Sequence, residues 1–228
     1  MALPFELDER LRMLSALVPA CPVAADIGAD HGFLGAWLLS SGRCERVQFL
    51  EISEPSLAKA RRLIASLHLE DRAVFGVGDG AQAMTEPVQA AIIAGMGGPT
   101  MCGIIERGQE NLGDAQLILQ ANMGLFDLRE RLTQLHYRID REELVRAGRR
   151  WYIGMRAMRG EAKYTRRELL FGPCLLADRH PRLPEYAAFR IRVLEDALAG
   201  VRKTEGERAE RIEKELNEEK KLWEEVRT

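Results

Sequence analysis

Short apolar runs alternate with amphipathic stretches along the first 135 residues of this chain. The runs Val23–Ile27, Arg46–Ile52, Ala73–Val77, Ala90–Ala94 and Gln116–Gln120 predict strands. Between and around them, Glu6–Leu17, Phe33–Ser40, Glu54–Leu67, Pro99–Gln109 and Leu125–Leu135 predict helices. In the third of these, Leu57, Ala60, Arg61, Ile64 and Leu67 recur at helical spacing, and Pro55 falls in the first turn, where its missing N–H costs little. Regular alternation of strand and helix implies an α/β fold: a Rossmann-like, doubly wound parallel sheet that binds ligands at the carboxyl ends of its strands.

Beyond Leu135 the pattern changes. Tyr137–Val145 and Trp151–Met158 read as two strands around Ala147-Gly148, an antiparallel hairpin. Glu161–Arg167 reads as a linker, and Phe171-Gly172-Pro173 breaks the chain. From Pro184 onward the sequence is helical and charged. Phe189, Val193, Ala197 and Val201 form one apolar stripe, and Ile212, Leu216, Trp223 and Val226 form another. Gly200 and Gly206 bracket Arg202–Glu205 as a turn, so the two stripes predict antiparallel helices packed as a short coiled coil. The expected organisation is one α/β domain over residues 1–162 and a helical C-terminal domain over 163–228.

Composition narrows the function. Hydrophobic residues make up 46% of the 228 positions, as expected of a soluble globule, and no apolar run is long enough to span a membrane. The acidic N-terminal stretch does not resemble a signal peptide. Cys21, Cys44, Cys102 and Cys174 lack C-x-x-C spacing, and with four scattered histidines they carry no metal signature. A reduced, cytoplasmic protein without a metal is the expectation; oligomeric state is left open, and a monomer is compatible with the sequence. The net charge of −2 is unevenly spread. Residues 141–182 hold 11 Lys+Arg against 5 Asp+Glu, whereas residues 1–140 hold 12 against 18. A basic segment on an acidic protein suits a polyanionic partner, although a solvated hairpin face explains it equally well.

Candidate chemistry gathers at the predicted strand ends. Asp26-Ile27-Gly28 closes the first strand, and Gly32 follows where a helix begins. A dinucleotide-binding G-x-G-x-x-G would need glycine at Asp30. Two carboxylates, Asp26 and Asp30, flank Gly28 instead. They would repel a pyrophosphate and suit a cationic ligand such as S-adenosylmethionine. Glu51-Ile52 ends the second strand, where an acid commonly holds ribose hydroxyls. Gly78-Asp79-Gly80 follows the third strand and reads either as an adenine-amino acceptor or as a simple turn. Gly95-Met96-Gly97-Gly98 leaves a bare floor after the fourth strand, open to a flat ring. This position lacks the Asn/Asp-Pro-Pro-aromatic motif of enzymes that methylate adenine amino groups. Gln120 and Asn122 close the fifth strand, either to read a base edge or to anchor the glycine loop.

Together these motifs resemble the bacterial TrmK family of tRNA (adenine(22)-N(1))-methyltransferases. The family's Asp-Ile-Gly-x-Asp-His block stands at Asp26–His31, its Gly-Asp-Gly at Gly78–Gly80, its Gly-Met-Gly-Gly at Gly95–Gly98, and its Gly-Pro at Gly172-Pro173. Its Gln-Pro-Asn stands here as Gln120-Ala121-Asn122, with alanine in place of the usual proline. The resemblance spans roughly residues 5–228. It implies a class I methyltransferase sheet with an antiparallel last strand, a coiled-coil domain, S-adenosylmethionine as methyl donor, and an adenine in the tRNA D-arm as acceptor.

On that reading Asp26, Gly28, Asp30, Glu51, Ile52, Asp79, Gly80, Gly95 and Met96 hold the cofactor. Gly97, Gly98, Gln120, Asn122, Arg149, Arg150 and Lys163 face the substrate. Asp30 and His31 are the catalytic candidates: Asp30 to stabilise positive charge developing on adenine, His31 to orient the base or the methionyl carboxylate. Asp30 also reads as a helix N-cap, and His31 as a packed turn residue. Arg146, Arg149, Arg150, Arg156, Arg159, Lys163, Arg166 and Arg167 are the pool from which phosphate contacts would come, with Trp151 and Tyr152 beside them for stacking. Two alternatives stand beside this one: a methyltransferase of the same fold acting on another RNA or on a protein, and a non-catalytic RNA-binding scaffold.

Overall fold

Parallel strands with short, buried, apolar sequences need cover on both faces, and this requirement organises the first unit. The computed structural model describes residues 5–201 and 206–227. It divides into two compact units, with the boundary between Lys163 and Tyr164. In chain order the first contains α1 (Glu9–Leu17), β1 (Cys21–Ile27), α2 (Phe33–Ser40), β2 (Cys44–Glu51), α3 (Glu54–Ser66), β3 (Ala73–Val77), β4 (Ala90–Met96), α4 (Gly98–Arg107), α5 (Gln109–Leu112), β5 (Gln116–Ala121), α6 (Leu125–Gln134), β6 (Tyr137–Ala147) and β7 (Arg150–Arg159). The sheet order is β3-β2-β1-β4-β5-β7-β6.

β1 pairs in parallel with β2 and β4, which aligns Asp26 with Phe49 on one side and Ile92 on the other. β7 lies antiparallel between β5 and β6. All five predicted parallel strands and the hairpin are therefore present. On one face of the sheet Leu14, Leu17, Leu38, Leu39, Val47, Phe49, Leu57, Ile64 and Ile92 are fully enclosed.

Element ends follow local chemistry. The predicted helix from Glu6 starts later, at Glu9, because the Asp8 carboxylate caps it by accepting the Leu11 N–H at 2.7 Å. The predicted helix Pro99–Gln109 is two helices that break at Gly108. The hairpin turns at Gly148-Arg149, one residue later than read, with Gly148 at φ 61°. A bulge in β6 between Ile139 and Arg141 offsets Asp140, which receives the Arg156 guanidinium at 2.6–3.2 Å.

Beneath α6, Arg129 is fully buried, with both Nε and Nη2 2.9 Å from Oε1 of Glu142 on β6. Taking both charges out of water is costly, and their mutual attraction offsets that only while both are present.

The second unit contains α7 (Arg166–Phe171), α8 (Pro173–Ala177), α9 (Leu183–Val201) and α10 (Gly206–Arg227). The predicted linker ends sooner than read. Thr165 and Glu168 form a reciprocal capping box that starts α7 at Arg166. α9 and α10 pair, but the expected stripe on α9 is wrong: Val193 and Ala197 are exposed. The covered row is Tyr186, Arg190, Leu194 and Leu198. Arg190 can lie there because Glu219 of α10, itself buried, pairs with its guanidinium. On α10 the expected Ile212, Leu216 and Trp223 do face inward, and Trp223 packs against Phe171 with ring centroids 5.5 Å apart. The expected turn Arg202–Glu205 and the side chain of Val226 lie outside the described residues.

Breaking the Arg129–Glu142 pair from one side strands a buried charge. Glu142→Ala is expected to lower unfolding free energy in urea by about 3–5 kcal/mol. The double variant Arg129→Met/Glu142→Leu should recover most of that loss.

Candidate active site

The carboxyl edge of the sheet is shaped by two close approaches. Gly28 (φ 76°) turns the chain out of β1, and its N–H donates to Leu50 O at 2.8 Å, tying the turn to β2. A β-carbon on Gly28 would lie 2.2 Å from the terminal methyl of Met96, so Met96 on β4 folds over this turn. α2 begins at Gly32 (φ 73°), whose added β-carbon would meet Ala60 of α3 at 2.8 Å. Asp30 is therefore not the helix cap that one reading of the sequence allows.

Asp26 lies under this turn and is buried. Its Oδ2 accepts the Gly35 N–H at 3.2 Å, bracing the first turn of α2. Burial raises its pKa to about 6; the Gly35 hydrogen bond opposes the rise, and the neighbouring Glu51 charge adds to it.

Glu51 is fastened at the end of β2. Its Oε1 accepts the Asp30 N–H at 2.7 Å, and its Oε2 the Ile52 N–H at 3.2 Å. Asp30 holds a left-handed backbone (φ 44°), and its carboxylate takes Lys59 of α3 at 2.6 Å. His31 Nε2 is 3.6 Å from the same carboxylate, and its ring stacks on Phe33 with centroids 5.5 Å apart. Ile52, 75% exposed, presents an apolar face beside Glu51. Asp79, after β3, is held by both Nε (2.8 Å) and Nη2 (3.0 Å) of Arg107 from α4. Gly80 (φ 59°) follows it and opens a short 3-10 turn.

On the other side of β1, Gly95 (φ 78°) bulges β4 away from its register with β5. Gly98 starts α4, and its N–H donates to Met123 O at 2.9 Å. A β-carbon there would strike Gly124 O at 2.5 Å, so the α4 and α6 starts meet backbone to backbone. Gln120, fully buried, donates to Asn122 Oδ1 at 3.1 Å, and Asn122 donates to Gly95 O at 2.7 Å.

Thus Asp26, Gly28, Asp30, His31, Glu51 and Ile52 stand at the ends of β1 and β2, with Asp79 and Gly80 after the neighbouring β3. Gly95–Gly98, Gln120 and Asn122 stand at the ends of β4 and β5. Arg149 and Arg150 lie exposed at the hairpin tip, and Lys163 is exposed at the end of the first unit. Of the basic pool, Arg156 is committed to Asp140, Arg159 to the Gly113 and Leu135 carbonyls, and Arg166 to Glu218. Three cations at the site went unread in sequence: Arg10, which donates to Gln120 Oε1 at 3.0 Å, Lys59 and Arg107. The described residues contain no cluster able to hold a metal ion and no helix long and apolar enough to cross a membrane.

A family model described as a methyltransferase domain matches residues 7–155. The chain belongs to the methyltransferase-domain family. As a member of that family it is similar to a curated Bacillus subtilis protein, tRNA (adenine(22)-N(1))-methyltransferase, at 29% identity over 158 residues. That alignment covers 68% of this chain and just under two thirds, 66%, of the relative. Its fold matches the solved B. subtilis M1A22 tRNA methyltransferase TrmK with a TM-score of 0.84 at 24% identity, covering 97% of this chain and 98% of that one. It also matches M. capricolum TrmK, solved in complex with S-adenosyl-homocysteine, with a TM-score of 0.84 at 18% identity, covering 97% and 99% of the two chains.

The raised pKa of Asp26 sets the sign of a pH effect. The folded state binds its proton more tightly than the unfolded state, so this group lowers stability as pH rises from about 4 to 6 and holds it there above. Asp26→Asn removes that loss. The variant is expected to be more stable than the parent at pH 7.5, by up to about 3 kcal/mol, with the gap closing towards pH 4. Melting temperatures of both proteins across that range check it.

Proposed function

We propose that this methyltransferase-domain protein transfers a methyl group from S-adenosylmethionine to N1 of adenine 22 in the D-arm of tRNA, acting in the cytoplasm. The observation that carries this reading is the strand-edge constellation: acids after β1, β2 and β3 beside a glycine-lined floor after β4. The breadth of the fold match supports the choice of acceptor. Similarity to the TrmK structures extends over 97% of the chain, helical second unit included, whereas a ribosomal protein L11 methylase matches only 69% of it, with a TM-score of 0.54.

The residues fit the cofactor. Glu51, fixed by two backbone N–H groups, would accept from two ribose hydroxyls. Ile52 would give the adenine an apolar face, and Asp79, oriented by Arg107, would offer its remaining lone pairs to the adenine amino group. Gly95, with nothing nearer than Arg10 at 3.5 Å where a β-carbon would stand, would allow close approach of the methionyl part, whereas the space over Gly28 is taken by the Met96 methyl. S-adenosylmethionine supplies a methyl group activated by its positive sulfonium. The N1 lone pair of adenine would take that methyl group as the carbon–sulfur bond breaks, so no base is needed first. Positive charge then builds on the adenine, and the Asp30 carboxylate, held by Lys59, lies at the rim to stabilise it. His31, stacked on Phe33, orients the incoming base. N1 is engaged when adenine is paired, so the base leaves its stack at a cost of a few kcal/mol. Contacts from Arg149, Arg150 and Lys163 to phosphates offset that cost.

Purified protein, labelled S-adenosylmethionine and unmodified tRNA test the reading, with the label mapped as a reverse-transcription stop. A stop at adenine 22, absent from an adenine-to-guanine transcript, is expected. Label elsewhere, or none, overturns the acceptor. Asp30→Ala should cut kcat by about 100-fold while calorimetry shows cofactor affinity retained. Glu51→Gln should do the reverse, weakening cofactor binding by about tenfold or more, as expected for losing charge-assisted hydrogen bonds.

A further inference from the structure

Arg10, on the N-terminal helix, is 110 residues from the nearest strand-end group it touches. It begins an unbroken chain of hydrogen bonds: Arg10 Nη1 to Gln120 Oε1 (3.0 Å), Gln120 Nε2 to Asn122 Oδ1 (3.1 Å), and Asn122 Nδ2 to Gly95 O (2.7 Å). An arginine can only donate and a backbone carbonyl can only accept, so both ends dictate the same orientation of the two amides. Gln120 is fully buried and cannot turn towards water. Arg10 also lies beside Gly95, 3.5 Å from where its β-carbon would be, and over the ring of Tyr152 at 5.9 Å.

Asn122 is exposed, and each amide atom has one bonding position left after these contacts: one N–H and one Oδ1 lone pair. An asparagine amide so presented matches the N6/N7 edge of adenine, with Oδ1 accepting from the amino group and Nδ2 donating to N7. N1 lies on the adjacent Watson–Crick edge and takes no part in these two contacts, so an adenine held this way keeps N1 free to react.

We propose that Asn122 reads the N6/N7 edge of the acceptor adenine, and that Arg10 is a positioning residue that fixes the Asn122 amide through Gln120. The proposal rests on the adenine-N1 reading above and deepens it. Glycine cannot take the place of Asn122, since it offers neither group. The substitution Gln120→Glu puts a carboxylate between Arg10 and Asn122 that accepts from both. It would turn the Asn122 amide around, presenting oxygen to the Gly95 carbonyl.

The test compares tRNA carrying adenine or 7-deazaadenine at position 22. Removing N7 is expected to lower kcat/KM of the parent protein about tenfold, the worth of one hydrogen bond. Asn122→Ala, Arg10→Met and Gln120→Glu should each lose activity on adenine and lose this discrimination with it. Arg10→Lys, still a pure donor, should keep it. A purely structural role for Arg10 would reduce both substrates alike and leave the ratio near ten, which overturns the proposal; so does a parent protein indifferent to N7. If the label maps to another adenine, the replacement is made there, and failure of the adenine-22 reading is seen separately. The orientation itself is read without any acceptor. Side-chain NH2 resonances of Gln120 and Asn122 in isotope-labelled protein should move in Arg10→Met and stay in Arg10→Lys; unmoved resonances in Arg10→Met overturn the relay whatever the acceptor.

Discussion

The carboxyl edge of the sheet depends on how closely α2 can approach β2. A β-carbon on Gly35 would enter the Phe49 ring at 2.3 Å, and one on Gly32 would strike Ala60 at 2.8 Å. With hydrogen in both places, the start of α2 sinks onto the sheet and Asp26 reaches the Gly35 amide. The chain between β1 and α2 is then too short to wander. It pins Gly28 under Leu50 O and delivers the Asp30 N–H to Glu51. One steric allowance thereby couples the ends of β1 and β2, which carry most of the candidate binding groups.

Electrostatics follow from that geometry. Asp26, Asp30, Glu51 and Asp79 crowd one rim, and such a cluster would repel itself if left bare. Lys59 and Arg107 answer two of the four from neighbouring helices, and Arg10 lowers the field at Asp26. Asp26 remains the costly member, because it is buried and its one hydrogen bond does not replace the water it lost. The fold gives up stability here to keep negative charge at the strand ends.

Much of this was legible in the sequence for physical reasons. Buried parallel strands are apolar along most of their length, as Ala90–Ile93 is throughout and Val23–Ile27 is but for Asp26, and turns with positive φ favour glycine, as at Gly28, Gly32 and Gly95. Strand-end acids could be counted from those landmarks. Partners could not. Arg10, Lys59 and Arg107 read as ordinary surface charges on helices, and only the fold brings them to Gln120, Asp30 and Asp79. The same limit explains the stripe on α9: a pattern of apolar residues passes over Arg190, which is inside only because Glu219 meets it. Arg129 and Glu142 were invisible in the same way, each being a charge whose burial depends on the other.

The position of β7 between β5 and β6 also constrains the order in which the chain can assemble. β6 is made first but has no place in the sheet until β7 follows, because among the described residues β7 alone pairs it to β5. During synthesis the eleven residues of β6 emerge with their backbone groups unpaired and must wait for the ten of β7. The two lie in the sheet as one hairpin, and its β6 strand brings Glu142 against Arg129 of α6. The five parallel strands can be laid down as they are translated, but the flank that closes the sheet cannot form until the ribosome has passed Arg159.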